Sequence, residues 1–127
     1  MACACSGGKT NLIYACSGAA NTGFLADQVA RQLMKENIGS MTCLAGIGAN
    51  LSGFIASAEG ADRNIVIDGC PVACGKKQFE ARGIPFDHFV MTNYGVEKNK
   101  TAITGDIIVD ISNKVASAIT EKVCSLN

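Results

Sequence analysis

Short apolar runs alternate along this chain with stretches of helical period. Leu12 to Ala15 is followed by a helical pattern at Phe24 to Glu36, and Met41 to Ala45 by one at Ile47 to Glu59. Asn64 to Asp68 precedes a short helix at Pro71 to Arg82, and Phe86 to Met91 precedes a long terminal helix. Strands separated by helices of this length imply parallel βαβ units. The pattern therefore predicts an α/β fold: one three-layer domain with a mostly parallel sheet of about four strands, flanked by helices.

The helices carry their own signals. Ile47, Leu51, Phe54, Ile55 and Ala58 recur at three- and four-residue steps, as do Ile107, Ile108, Ile111, Val115, Ala118, Ile119 and Val123. Thr104 is placed to cap the last helix with Asp106 in its first turn, and Gly83 stands where the third helix needs a C-terminal cap. Residues 1–10, MACACSGGKT, are small and polar without a period and read as a flexible leader, which leaves 11–127 as the domain. The polar stretch Thr92 to Lys100 reads as a long surface loop.

Composition narrows the function. The chain has 127 residues, 48% of them hydrophobic, enough for a core that needs no disulfide. Eleven Lys and Arg balance eleven Asp and Glu, and tryptophan is absent, so neither a field for polyanions nor a base-stacking surface is offered. Nucleic acid and membrane surfaces are set aside as partners. No run approaches the ~20 apolar residues of a membrane span, and no secretory signal is seen, so a cytoplasmic location is expected.

Seven cysteines in such a chain point to metal ligands or reactive thiols. A parallel sheet delivers every strand's C-terminal end to one edge, where ligands usually bind. Cys16 directly follows the first apolar run, Cys43 lies in or just past the second, and Cys70 follows the third. Cys74 lies four residues beyond Cys70, a spacing by which a local pair grips zinc. Pro71 in a first helical turn would leave Cys70 at the N-cap and Cys74 in that same turn, beside Lys76 and Lys77. Cys16, Cys43, Cys70 and Cys74 are thus the expected zinc ligands. A buried cysteine is often only a small hydrophobe, and Cys124 fits that role best; Cys3 and Cys5 fall in the leader. His88, the single histidine, lies inside the fourth apolar run and reads as a satisfied core or surface residue more than as a ligand.

Three stretches look like phosphate sites. Ser6-Gly7-Gly8-Lys9-Thr10 precedes the first strand and lacks the first glycine of a P-loop, and Gly46-Ile47-Gly48 lacks the third glycine of a dinucleotide fingerprint. The loop Cys16-Ser17-Gly18-Ala19-Ala20-Asn21-Thr22-Gly23 is the better anion candidate, but it has no arginine to close on a phosphate as a cysteine phosphatase requires.

At Ile67-Asp68-Gly69-Cys70-Pro71-Val72-Ala73-Cys74-Gly75-Lys76-Lys77 the chain resembles the DGC-domain family of zinc-binding proteins, named for the Asp-Gly-Cys seen here at 68–70. The resemblance extends through Ala15-Cys16-Ser17-Gly18, Cys43-Leu44-Ala45-Gly46-Ile47-Gly48 and Gly95-Val96-Glu97-Lys98. It implies a single cysteine-rich domain binding zinc through the matching cysteines, and brings no substrate with it. The leading expectation is one zinc ion, structural or for metal sensing or handling. The alternative is a thiol redox enzyme with Cys16 as nucleophile and Cys70 or Cys74 resolving. Four thiolates also suit an iron–sulfur cluster.

Overall fold

The structure, a computed structural model, describes residues 10–125, with side chains described through Glu121. Cys3, Cys5, the rest of the leader before Thr10 and the Cys124 side chain lie outside the described residues. Thr10 itself accepts hydrogen bonds at its carbonyl from the Asp62 and Arg63 amides, at 2.8 and 3.2 Å.

Four parallel strands form one sheet in the order β2-β1-β3-β4. They are β1 (Asn11–Ala15), β2 (Ser40–Met41), β3 (Arg63–Asp68) and β4 (Asp87–Val90). The helices are α1 (Asn21–Lys35), α2 (Leu44–Gly48), α3 (Ser52–Gly60), α4 (Cys74–Arg82) and α5 (Gly105–Ser125), with a 3-10 turn at Met91–Tyr94. Strand alternation divides the core in two. Ile13, Ala15, Ile65 and Ile67 pack with Leu25, Val29, Leu33, Ile111 and Val115, so α1 and α5 cover one face. Tyr14 and Val66 pack with Leu44, Ile47, Ala58 and Phe79, so α2, α3 and α4 cover the other. The expected three-layer α/β fold is present, with a wholly parallel sheet.

Three local expectations need correction. Met41 to Ala45 is not one strand: pairing ends at Met41, Thr42 adds a single bond from its amide to the Ile13 carbonyl at 2.9 Å, and Cys43 already flanks α2. The helix expected over Ile47 to Glu59 is two helices, because Asn50 takes a left-handed φ of 59° between α2 and α3. Asparagine tolerates that conformation better than most side chains. The helix expected from Pro71 begins at Cys74. Pro71 instead uses its fixed φ as the second residue of a β-turn closed by the Ala73 amide on the Cys70 carbonyl at 3.0 Å. Cys70 is therefore a turn residue and not an N-cap. Elsewhere the sequence signals hold: Gly83 ends α4 at φ 63°, and Thr104 Oγ1 accepts from the Ile107 amide at 3.3 Å.

Candidate cysteine site

The strand order fixes where a ligand crevice belongs. The chain leaves β1 toward β2 on one side and later returns to place β3 on the other, so the order reverses between β1 and β3. Open parallel sheets bind ligands at the C-terminal ends of strands at such a reversal. Cys16 and Cys70 occupy those two ends. The Cys16 amide continues the ladder to the Ile67 carbonyl at 3.1 Å, and the Gly69 amide donates to Cys16 Sγ at 3.3 Å.

Backbone packs directly on backbone here. A Cβ at Gly69 would lie 2.6 Å from the Thr22 carbonyl carbon, and one at Gly23 would lie 2.5 Å from the Gly18 oxygen. Only glycine permits this approach of the two strand exits to the first turn of α1. Asn21, the first residue of α1, then holds the segment after the 3-10 turn: its Nδ2 donates to the Glu97 and Thr101 carbonyls at 3.0 and 2.8 Å, and its Oδ1 accepts from the Asn99 amide at 2.6 Å. That segment carries Lys98, whose Nζ reaches to 3.5 Å from Cys70 Sγ. The polar stretch expected as a surface loop is thus pinned to α1.

Cys43 is exposed and shares with Cys16 a cavity of about 810 Å³, whose wall includes Asp27, Arg31, Met34 and Phe54. Arg31 Nε lies 2.8 Å from Asp27 Oδ2, and Ser17 Oγ donates to Asp27 Oδ1 at 3.0 Å. Burial works against ionisation of Asp27, but the hydrogen bonds from Arg31 and Ser17, the Arg31 charge and the Gln28 amide outweigh it and hold its pKa below the ordinary value. An arginine of α1 therefore does line the cavity beside the Cys16 loop, already engaged by a carboxylate. Nothing in the loop's own sequence signals it.

The sequence profile of the DGC domain matches residues 12–123 of this chain. This protein belongs to the DGC-domain family. A relative of the same kind is the anaerobic and virulence modulator AnvM of Pseudomonas aeruginosa, 31% identical over 88 residues, which cover 68% of this chain and 67% of AnvM. No solved structure matches significantly.

The aspartate of the DGC motif is the residue that sequence reasoning missed. Asp68 is 1% exposed. Its Oδ1 accepts the Gly75 amide at 2.8 Å, and its Oδ2 accepts the Lys76 amide at 3.1 Å and His88 Nε2 at 2.7 Å. It thus caps α4 from the end of β3, because Ala73, the residue before the helix, supplies no side-chain cap. His88 is satisfied through this contact. The signal in sequence was weak, because the helix was expected to start at Pro71 with Cys70 as its cap, and only the start at Cys74 leaves Ala73 before the helix without a capping side chain.

Two backbone outliers flank the same site. Ser17 at φ 51° follows Cys16, and Ala73 at φ 55° precedes Cys74, both in the left-handed region that such residues seldom occupy. The other left-handed non-glycine residues described are asparagines. Strain of about 1–3 kcal/mol per such residue persists only where neighbouring contacts enforce it, and it collects at functional sites.

Against a zinc ion the result is divided. The donor chemistry fits: Cys16, Cys43, Cys70 and Cys74 are all free thiols at the C-terminal edge of the sheet. The spacing is not that of a formed site, since among the described residues no group of three or more Cys, His, Asp or Glu side chains is arranged to hold a metal ion. Cys16 adjoins Gly69 of the Cys70 turn and shares a cavity with Cys43, while Cys74 stands exposed at the start of α4.

Proposed function

We propose that this DGC-domain protein binds one zinc ion through Cys16, Cys43, Cys70 and Cys74, with the loops that bear them closing on the metal. The observation that carries the reading is topological: the exits of β1, β2 and β3 and the first residue of α4 bring four uncrosslinked cysteines to one edge. Cys43 and Cys74 are exposed, whereas Cys16 accepts the Gly69 amide. Lys98 beside Cys70 offsets part of the charge that four thiolates bring. Four thiolates leave zinc no open position for a reacting water, so the metal would be structural, sensed or carried. The metal is then the partner, without nucleic acid or membrane, in the cytoplasm. Among the described residues no helix is long and apolar enough to cross a membrane.

Elemental analysis of anaerobically purified protein tests this, with close to one zinc per chain expected and Cys16→Ser and Cys70→Ser each losing it. Absence of zinc, with every thiol freely reactive, would overturn the reading.

A second reading is favoured by the Gly69 amide on Cys16 Sγ: a thiol enzyme or sensor with Cys16 as the reactive sulfur and Cys70 or Cys74 resolving. A modulator whose name ties it to anaerobic conditions, as AnvM's does, suits either reading, because thiolates and their zinc complexes both answer to oxidants. Brief iodoacetamide treatment of zinc-loaded protein separates the two. Protection of Cys16 until chelation supports zinc ligation; rapid, selective labelling of Cys16 with the metal still bound supports the thiol reading.

A further inference from the structure

We infer that Asp68 and His88 form a latch that holds the strained Cys70–Cys74 turn in place, and that both are positioning residues for the cysteine site. The inference rests on the zinc reading above for its consequence and on geometry alone for its existence. Cys74 is the first residue of α4, and its position depends on where that helix begins. The helix begins after a left-handed alanine, a conformation an isolated chain would abandon. What enforces it is the carboxylate of Asp68, which binds the second and third amides of the helix, Gly75 and Lys76. Those two bonds fix α4 to the end of β3, and the β-turn from Cys70 to Ala73 must then span a set distance.

Asp68 in turn needs an anchor, because its second oxygen is shared. His88, on the neighbouring strand β4, supplies it with a 2.7 Å bond from Nε2. The imidazole is itself braced by the Phe86 ring, edge to face at 6.1 Å between centroids. Gly75 completes the device: a Cβ there would lie 2.6 Å from Val66 Cγ1 and 3.0 Å from Asp68 Oδ1, so glycine is what lets the amide reach the carboxylate. The chain of contacts runs from β4 through a buried carboxylate to the helix that carries Cys74. Groups bonded directly to a metal ligand change affinity by roughly 10–100-fold when removed, and this latch, one step further back, acts at the lower end of that range.

The test compares His88→Leu, His88→Gln and Asp68→Asn with Arg63→Met, which breaks another β3–β4 contact, the ion pair between Arg63 and Asp87, the first residues of the two strands. Zinc affinity is read by competition with a chromophoric chelator, and amide hydrogen exchange is read at Gly75 and Lys76. His88→Leu and Asp68→Asn are expected to weaken zinc about tenfold or more and to speed exchange at those two amides by a similar factor. His88→Gln, whose side-chain amide can still donate to Asp68, should restore both to within a few-fold. Arg63→Met should lower stability and leave both unchanged. If the wild-type protein holds no zinc, the zinc reading fails and the exchange measurement alone judges the latch. The latch is overturned if His88→Leu leaves exchange at Gly75 and Lys76 as in wild type, or if Arg63→Met alters the site as much as His88→Leu does. Should Asp68→Asn fail to fold, the two His88 variants, at a partly exposed side chain, still decide.

Discussion

At Gly69 two main chains meet with no room between them, and the same residue donates its amide to Cys16 Sγ. A methyl group there would press on the Thr22 carbonyl carbon and oxygen and on the Gly23 nitrogen, all within 2.7 Å. Backbone cannot rotate away as a side chain can, so the first turn of α1 must shift. Gly69→Ala is expected to cost about 1–3 kcal/mol, in the range of other overpacked sites. Gly53 in α3 offers the control, since among the described residues nothing beyond its chain neighbours and its own helix backbone lies within 4 Å of its Cβ position. Gly53→Ala should be neutral or stabilise by about 0.5–1 kcal/mol through helix propensity. Urea midpoints at unchanged slope measure both, and equal midpoints for the two variants would refute the packing account.

The break between α2 and α3 makes a parallel case one level up. With α2 only Leu44–Gly48, its contact with α3 depends on the Phe54 ring lying over Gly46. A Cβ at Gly46 would fall on the near atoms of that ring, which sit close to its own backbone and cannot swing clear. Gly46→Ala should therefore push α3 off α2 and destabilise by about 1–3 kcal/mol. Faster hydrogen exchange across Ser52–Gly60, with α1 unaffected, is the expected signature, and uniform exchange in both helices would count against it. Ile47, Leu51, Phe54, Ile55 and Ala58 read as one helical face, but with the break at Asn50 Ile47 and Ala58 are buried while Leu51 is half exposed. Periodicity does not report where the axis bends, and Leu51 sits at the bend. The runs that became β1 and β3 were legible because their residues are buried in succession, and α5 because its apolar period comes with a local cap at Thr104. The gathering of cysteines at one edge was legible for a topological reason, as any parallel sheet sends its strand ends to one side. Asp68 with His88, Asn21 with the segment around Lys98, and Arg31 with the Cys16 cavity were not legible. Each joins residues whose relation is set by packing between distant elements and leaves no period or spacing in the chain.

Across the whole molecule, one buried polar network ties the sheet to the layer that bears α3 and α4, and it gives the fold an alkaline limit. Tyr14, 1% exposed on β1, donates from its hydroxyl to Asn64 Oδ1 at 3.0 Å. Asn64 Nδ2 then donates to the Ala58 carbonyl at 2.8 Å and the Pro85 carbonyl at 3.3 Å, reaching the end of α3 and the turn before β4. The Tyr14 ring packs edge to face on Phe79 of α4, with centroids 4.8 Å apart. Burial disfavours the phenolate and pushes the Tyr14 pKa up from 10.0 to about 12. A folded-state pKa raised above the unfolded one gives a stability term that is fully present below the unfolded value and is lost as pH rises through the folded value. That term is on the order of 2–3 kcal/mol for a shift of this size. Urea stability should therefore hold to about pH 9 and fall as the unfolded chain's tyrosine ionises near 10 and the folded one near 12. Tyr94 is also raised by burial, against the opposing charge of Lys114, so part of the alkaline loss belongs to it. Tyr14→Phe separates the two contributions. It should flatten most of the fall above pH 10 while lowering stability at neutral pH by about 1–3 kcal/mol, because Asn64 Oδ1 is left buried without its donor. An alkaline slope in Tyr14→Phe equal to that of wild type would mean that this network does not set the limit.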